Sequence, residues 1–291
     1  MTALTRREWN RLALASLGAL SLPATTPAAE KPNSVIKGVQ IGVQSYSFRD
    51  RPLSDAIKAM VEIGLSSCEL YSGHVEPKEL KREELRDWRL KTPLSQFTDI
   101  GQKFKEAGIE LYAYNYSFRE DFTDEEIKRG FEMAKALGAK LITASSNVNT
   151  AKRIDVYARQ YKMKVGMHNH SRIRENEFAT PDDFAKAMEG NSKYICINLD
   201  IGHFTAANFD AVDYLQQHHD RIVTLHIKDR KRDQGDNLPL GEGDTPIKPV
   251  LELLKQNKWK IPANIEYEYK GEDTVAEVKK CFEYCKNALE T

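Results

Sequence analysis

The sequence predicts a (β/α)₈ TIM barrel, in a single α/β domain that follows an N-terminal signal peptide. Three observations lead to this fold class. Strand-like and helix-like hydrophobic patterns alternate eight times along the chain. Several helical patterns end at a glycine that leads directly into the next strand. No GxGxxG turn follows the first strand, which favours a closed barrel over a doubly wound sheet. The chain length of 291 residues also suits a barrel, which typically needs about 250 residues.

The elements follow one another along residues 38–291, which we expect to form the barrel domain. Strand-like runs occupy residues 39–48, 66–72, 109–116, 139–146, 164–171, 194–202, 222–228 and 263–269. Helical periodicity occupies residues 53–63, 93–107, 124–137, 151–162, 181–189, 209–218, 247–256 and 274–289. Gly64 and Gly138 are predicted C-caps, and Thr123 with Glu126 is a predicted capping box.

Two connections are unusually long. Residues 73–92 follow the second strand, and residues 229–246 follow the seventh. Both leave the carboxyl ends of strands, which is the face where barrel enzymes carry their sites. They are therefore lid candidates, although the charged residues 78–89 also fit a solvated extra helix.

The first 29 residues have the pattern of a signal peptide. Arg6 and Arg7 precede an apolar run at residues 12–22, and small residues ending at Ala29 supply a cleavage site. The run is too short to span a bilayer. The paired arginines indicate the twin-arginine route, with an ordinary secretory signal as the alternative. We expect an exported, periplasmic bacterial protein with no stable membrane insertion after processing.

The charge balance and the cysteines narrow the classes of partner and site. The chain has 43 basic and 43 acidic residues, so it has no basic surplus that would favour a nucleic acid or an anionic membrane. We therefore expect no nucleic acid partner. The four cysteines form no CxxC pair, and their spacing predicts neither a disulfide framework nor a thiolate zinc site. These are Cys68, Cys196, Cys281 and Cys285.

The most informative pattern is a pair of polar residues on each of the last four strands. Alternate residues of a barrel strand point inward. Four such pairs share the inward face: His168 with His170, Asn198 with Asp200, His226 with Lys228, and Glu266 with Glu268. Burying an unpaired charge costs roughly several kcal/mol, so these groups need a partner. One divalent metal ion is the simplest partner, and a neutral inner salt-bridge network is the alternative.

The donor types also limit the metal. Imidazole and carboxylate together suit Mn²⁺, Zn²⁺, Co²⁺ or Fe²⁺, and Mg²⁺ stays open. We expect one divalent ion, whose identity the residues do not decide.

Five segments, in this order and spacing, resemble the sugar phosphate isomerase/epimerase family with the xylose-isomerase-like barrel. The resemblance extends from about Ile41 to the C terminus. The segments are VGMHNH at residues 165–170, NLDIGH at 198–203, LHIKDR at 225–230, LGEGD at 240–244 and IEYE at 265–268.

The resemblance implies a ligand set for the metal. Asp200, His226 and Glu266 fall on the ligand positions of strands six, seven and eight. His168 is the expected ligand from strand five, and His170 is the alternative. The epimerases of this family carry a glutamate at that position of strand five, so the histidine weakens an assignment of two-carboxylate epimerisation.

The resemblance also implies a set of substrate contacts. His203 and Lys228 would face the substrate, and so would His170 if it is not a ligand. Glu69, at the top of strand two, would form a hydrogen bond with a substrate hydroxyl. The expected partner is a small-molecule sugar or sugar derivative, and a homo-oligomer stays open.

The activity implied is a metal-dependent isomerase or epimerase. Glu266 would remove the proton next to a carbonyl, which gives an enediolate, and His168 is the second catalytic candidate. Loss of a β-substituent would instead make the enzyme a lyase or dehydratase acting on keto-sugars or glycosides. A non-catalytic exported sugar-binding barrel is the alternative outside enzymes. An endonuclease IV-like activity is disfavoured, since strands three and four end without histidine.

Overall fold

The computed structural model describes residues 31–291, and the predicted signal peptide at residues 1–29 lies outside them. Eight parallel strands form a closed barrel, because each pairs with the next and the last pairs with the first. The strands are β1 (Val39–Gln44), β2 (Ser67–Tyr71), β3 (Glu110–Asn115), β4 (Leu141–Ala144), β5 (Lys164–His168), β6 (Ile195–Asp200), β7 (Ile222–Ile227) and β8 (Ala263–Ile265). The predicted TIM barrel is confirmed.

Helices surround the barrel and form its outer layer. They are α1 (Leu53–Ile63), α2 (Arg82–Lys91), α3 (Leu94–Glu106), α4 (Asp124–Leu137), α5 (Ala151–Tyr161), α6 (Pro181–Met188), α7 (Ile201–Ala206), α8 (Ala211–His218), α9 (Ile247–Asn257) and α10 (Thr274–Glu290). The charged stretch after β2 is α2, an extra helix with no buried residue. Among residues 31–291, no helix combines the length and the apolar character that a bilayer span requires.

The local signals read from the sequence occur where they were predicted. Gly64 and Gly138 end their helices in the left-handed region, at φ of 94° and 76°, where glycine avoids the strain that a side chain would cause. Thr123 and Glu126 form the capping box of α4. The last strand is shorter than predicted. Beyond Ile265 the backbone continues the ladder only through the bond from Glu266 N–H to the Ile227 carbonyl.

The faces of the later strands divide as the alternation predicts. Apolar side chains such as Leu199 and Leu225 are fully buried in the hydrophobic core. The intervening polar side chains, such as Asp200 and His226, are buried at the barrel axis. A barrel strand therefore has no face in free solvent, and its inward polar groups must find partners among themselves or in a ligand.

Candidate metal and substrate site

Four side chains from β5 to β8 meet at the carboxyl end of the barrel. One ligand atom from each of His168, Asp200, His226 and Glu266 lies within 4.8 Å of the other three. His168 and Asp200 end β5 and β6, His226 is the fifth residue of β7, and Glu266 directly follows β8. The structure thus brings together the four residues that the sequence analysis expected as ligands. His170 lies outside this group and is exposed.

The chemistry of these donors fits a divalent cation. Two imidazoles and two carboxylates form a nitrogen and oxygen set of the kind that zinc, manganese, cobalt and iron accept. Asp200 Oδ1 accepts a hydrogen bond of 2.6 Å from the His203 backbone N–H. Its Oδ2 is buried, makes no hydrogen bond among the described residues, and has the Lys228 ammonium nitrogen 3.2 Å away. A buried carboxylate oxygen needs a cation or a hydrogen-bond donor, and a metal ion would supply the close contact that no hydrogen bond provides here.

Asp200 is held in place by Asn169, a residue to which the sequence pattern assigned no function. Asn169 is fully buried. Its side-chain oxygen accepts from the Asp200 N–H at 3.0 Å, and its amide donates to the Asp200 carbonyl at 3.1 Å. This two-way bond fixes the end of β6 against β5, and with it the direction of the Asp200 carboxylate.

His226 is oriented by Glu69, which lies beneath it. The distance from His226 Nε2 to Glu69 Oε2 is 2.9 Å. Since a carboxylate accepts and does not donate, Nε2 carries the hydrogen. The other ring nitrogen, Nδ1, lies 3.0 Å from Glu266 Oε2 and 3.9 Å from Asp200 Oδ2. A histidine whose second nitrogen donates to a carboxylate is a common arrangement in metal sites.

Glu69 is enclosed by hydrogen-bond donors and does not line the substrate cavity. Its side chain is fully buried, and it accepts hydrogen bonds from four neutral side chains besides His226. These donors are Gln44, Asn115, Thr143 and Asn264. Glu69 contacts His226 in this structure, and its contact with a substrate hydroxyl stays a prediction.

The Lys228 ammonium group lies among three carboxylates. Its Nζ is 3.2 Å from Asp200, 2.8 Å from Glu266 and 2.6 Å from Glu268. Burial opposes the charge, but the three carboxylates outweigh burial and raise the pKa of Lys228 above its ordinary value. Lys228 is therefore a fixed cation on the cavity wall.

The same charges act on the ligands. Burial alone would raise the pKa of Glu266, yet Lys228 and His226 together hold it well below the ordinary value. Burial lowers the pKa of His168, and the neighbouring His226 lowers it further. Glu266 is thus ionised and His168 is neutral at neutral pH, and these are the forms in which both side chains bind metals.

His203 lies in the first turn of α7, the helix that follows β6, and Arg230 fixes its ring. The Arg230 guanidinium donates to Nδ1 at 2.9 Å and to Ser171 Oγ at 2.8 Å. The Lys228 ammonium also only donates and lies 3.2 Å from the other ring nitrogen, Nε2. A neutral imidazole has one acceptor nitrogen, and since the Arg230 contact is the shorter of the two, we assign Nδ1 as the acceptor and the proton to Nε2. Burial, followed by the charge of Lys228, lowers the pKa of His203 well below its ordinary value. The ring is therefore neutral and presents an Nε2–H donor beside Lys228.

A cavity of about 490 Å³ lies above these groups. Its lining includes the expected substrate contacts His170, His203 and Lys228 together with His168, His226 and Glu266. The roles of these residues toward a substrate remain predictions. Asn169 and Arg230 support the site but were not predicted to do so. The one sequence signal for them is that they lie within the family-like segments at residues 165–170 and 225–230.

The family model of the xylose isomerase-like TIM barrel matches residues 57–287. The chain belongs to this family. This match agrees with the resemblance seen in the sequence.

Two relatives illustrate how far the similarity to the xylose isomerase-like family extends. An uncharacterised protein of Methanocaldococcus jannaschii is 24% identical over 246 residues, covering 78% of this chain and 83% of the relative. The L-ribulose-5-phosphate 3-epimerase UlaE of Escherichia coli is 34% identical over 97 residues. That second match spans only about a third of each protein, 33% of this chain and 34% of UlaE.

Two solved structures share the fold. The 3-keto-D-glucoside 4-epimerase YcjR of E. coli has a TM-score of 0.66 at 15% identity, covering 86% of this chain and 99% of YcjR. The IolI protein, solved with a bound zinc atom, has a TM-score of 0.65 at 15% identity, covering 87% of this chain and 96% of IolI. At this identity the likeness concerns the fold of the xylose isomerase-like barrel.

Proposed function

We propose that this protein is a metal-dependent enzyme that isomerises or epimerises a sugar by removing a proton next to a carbonyl. One observation carries the proposal. His168, Asp200, His226 and Glu266 converge within 4.8 Å at the floor of an open cavity. The epimerase activity of UlaE and the zinc bound by IolI support it.

The metal's contribution would be electrostatic. These four residues would hold a divalent cation, and such an ion would supply Lewis-acid polarisation of a carbonyl. Mn²⁺, Zn²⁺, Co²⁺, Fe²⁺ and Mg²⁺ are all kept as candidates.

Glu266 is the proposed base. Within residues 31–291 its side-chain hydrogen bonds with His226 and Lys228 both go to Oε2. Oε1 is therefore left to accept a proton from the substrate carbon. The ionised state that Lys228 and His226 impose on Glu266 is the one a base requires.

The second proton transfer is assigned to the histidines. His168 and His170 both line the cavity, with ring centroids 5.1 Å apart. Burial and the neighbouring His226 disfavour the protonated form of His168, so a proton taken up there would readily be passed on to the substrate. Lys228 and the Nε2–H of His203 would donate hydrogen bonds to substrate oxygens and so hold the sugar in a fixed orientation.

The test is isotope incorporation. Purified protein is incubated with Mn²⁺ in D₂O and a panel of free sugars, keto-sugars and glycosides, and proton NMR follows deuterium at the carbon beside the carbonyl. We expect incorporation by the wild type, loss of at least about 100-fold in Glu266→Gln, and no change in the exposed control Glu62→Gln. No incorporation with any member of the panel, in protein shown to hold metal, would contradict the proposed chemistry.

Elimination is the second candidate. The observation that favours it is His168 at the strand-five position where the family's epimerases carry a glutamate. The same NMR experiment separates the two reactions, since elimination releases a free second product whereas epimerisation changes only the configuration of the sugar.

We further propose that the protein is exported. Arg6, Arg7 and the apolar run at residues 12–22 support this. A periplasmic location would favour free or glycosidic sugars over sugar phosphates as substrates.

A further inference from the structure

A second cavity lies beside the site cavity and shares part of its wall. It measures about 630 Å³. Four residues line both cavities: Tyr71, Asn115, Ser117 and Arg119. We call the one over the metal ligands the inner cavity and the other the outer cavity. The two cavities therefore adjoin, and together they are larger than a single sugar ring needs.

The charged residues of the outer cavity are nearly all engaged. Arg82 pairs with Asp121. Arg89 forms a two-pronged ion pair with Glu76, at 2.7 and 2.8 Å. Glu120 accepts hydrogen bonds from the side-chain amides of Asn149 and Asn176. None of these groups is free to take a ligand without losing a partner.

Arg119 is the exception. Its side chain is exposed and has neither an ion-pair partner nor a hydrogen-bond partner among residues 31–291. It stands on the shared wall, so a ligand that extends out of the inner cavity must pass it. An unengaged guanidinium at such a position is a donor suited to hydroxyl or carboxylate oxygens.

Tyr71 supplies an aromatic surface on the same wall. Its ring packs edge-on against Tyr46, with centroids 5.1 Å apart and planes at 82°. Gly73 makes room for it, because a Cβ at that position would lie 2.3 Å from the Tyr71 ring. An aromatic ring with a polar tip packs well against a pyranose face, which is apolar at its C–H groups and polar at its rim.

We propose that the outer cavity is a binding subsite for the second unit of a disaccharide-sized glycoside. Tyr71 packs against that unit, and Arg119 donates to one of its hydroxyl or carboxylate oxygens. Arg119 and Tyr71 are thus specificity-determining residues. The inference rests on the proposed function only in placing the reacting sugar in the inner cavity.

Calorimetric titration tests the subsite without turnover. The probes are glucose, maltose, cellobiose and cellobiouronic acid, a disaccharide with one carboxylate, each added to Mn²⁺-loaded protein. We expect at least one disaccharide to bind about tenfold or more tightly than glucose. In Arg119→Gln, the ratio of disaccharide affinity to glucose affinity falls about tenfold. A larger fall for cellobiouronic acid than for cellobiose shows that Arg119 binds a carboxylate, and equal falls show that it binds a hydroxyl.

Two further variants guard against misfolding. Arg159→Gln removes an arginine outside both cavities and should keep the affinity ratio of the wild type. Gly73→Ala removes no ligand-facing side chain but displaces the Tyr71 ring, and it should lower the ratio as Arg119→Gln does. Circular dichroism confirms that each variant is folded.

The proposal is overturned if no disaccharide binds more tightly than glucose, or if Arg119→Gln weakens glucose and disaccharides equally. Its failure differs visibly from failure of the proposed chemistry. If monosaccharides exchange deuterium but a second sugar unit adds no affinity, the subsite proposal fails and the proposed enzymatic function stands. If the second unit adds affinity but no substrate exchanges deuterium, the proposed function fails and the subsite proposal stands.

Discussion

Glu69 and His226 are 157 residues apart in the chain, and their side chains meet at 2.9 Å inside the barrel. The Glu69 carboxylate accepts a hydrogen bond from His226 Nε2–H and so directs Nδ1 toward Asp200 and Glu266. Burial opposes a charge on His226, yet Glu69 and Glu266 outweigh it and raise its pKa well above the ordinary value. Glu69 therefore orients a candidate metal ligand from beneath.

Replacing Glu69 by Gln should weaken metal binding. The amide keeps the shape of the side chain but removes the charge that orients His226, and loss of such a partner costs about 10- to 100-fold in metal affinity. Competition with a chromogenic chelator measures this for Zn²⁺ and Mn²⁺. Glu62→Gln, on the exposed face of α1, is the control. If Glu69→Gln and Glu62→Gln bound the metal with equal affinity, the proposed role of Glu69 in orienting His226 would be wrong.

Replacing Arg230 by Met should change the tautomer of His203. In the wild type the guanidinium donates to Nδ1, so the imidazole hydrogen resides on Nε2. Without that donor both tautomers become populated. Nitrogen-15 NMR of histidine-labelled protein distinguishes the two forms directly. A wild-type spectrum that shows the hydrogen on Nδ1 would contradict the assignment.

Replacing Phe131 by Ala should destabilise the barrel by about 3–5 kcal/mol. Phe131 is fully buried and stacks on Phe118 and Tyr161, with ring centroids 5.6 Å away in each case. Urea denaturation measures the free energy of unfolding. Val156→Ala, at a side chain 50% exposed, should change it by less than about 0.5 kcal/mol. If the two variants lost similar amounts of unfolding free energy, the packing of Phe131 in α4 would not contribute the stability that we expect.

Replacing Arg6 and Arg7 by Lys should block export by the twin-arginine route. Fractionation of bacterial cells then finds the unprocessed chain in the cytoplasm, whereas the wild type is processed and periplasmic. The control is Lys31→Arg, a single substitution beyond the predicted cleavage site. Normal export of the Arg6→Lys, Arg7→Lys protein would favour the ordinary secretory signal instead.

Much of the fold follows from local patterns. Helix α1 and helix α4 have the predicted bounds, since their amphipathic periodicity and their C-capping glycines are both local features. The strand ends were less predictable. Residues 263–269 alternate like one strand, but pairing ends at Ile265, because the length of a strand depends on the neighbours that remain beside it.

The candidate ligands were also readable in advance. A period of two along a strand dictates which residues share a face, so the inward positions of Asp200 and His226 followed from their spacing alone. Their convergence on a common point required only that the strands be neighbours in one barrel.

The sequence by itself thus determined the barrel class and the faces on which the polar groups lie, because hydrophobic periodicity and capping act over a few neighbouring residues. Only the tertiary structure decided that Glu69 supports His226, that Arg230 holds His203, and that Arg119 stands between two joined cavities. Those relationships join residues far apart in the chain, and closure of the barrel brings them within hydrogen-bonding distance or onto one wall. A local sequence pattern does not show which distant side chain will lie next to a given residue once the barrel has closed.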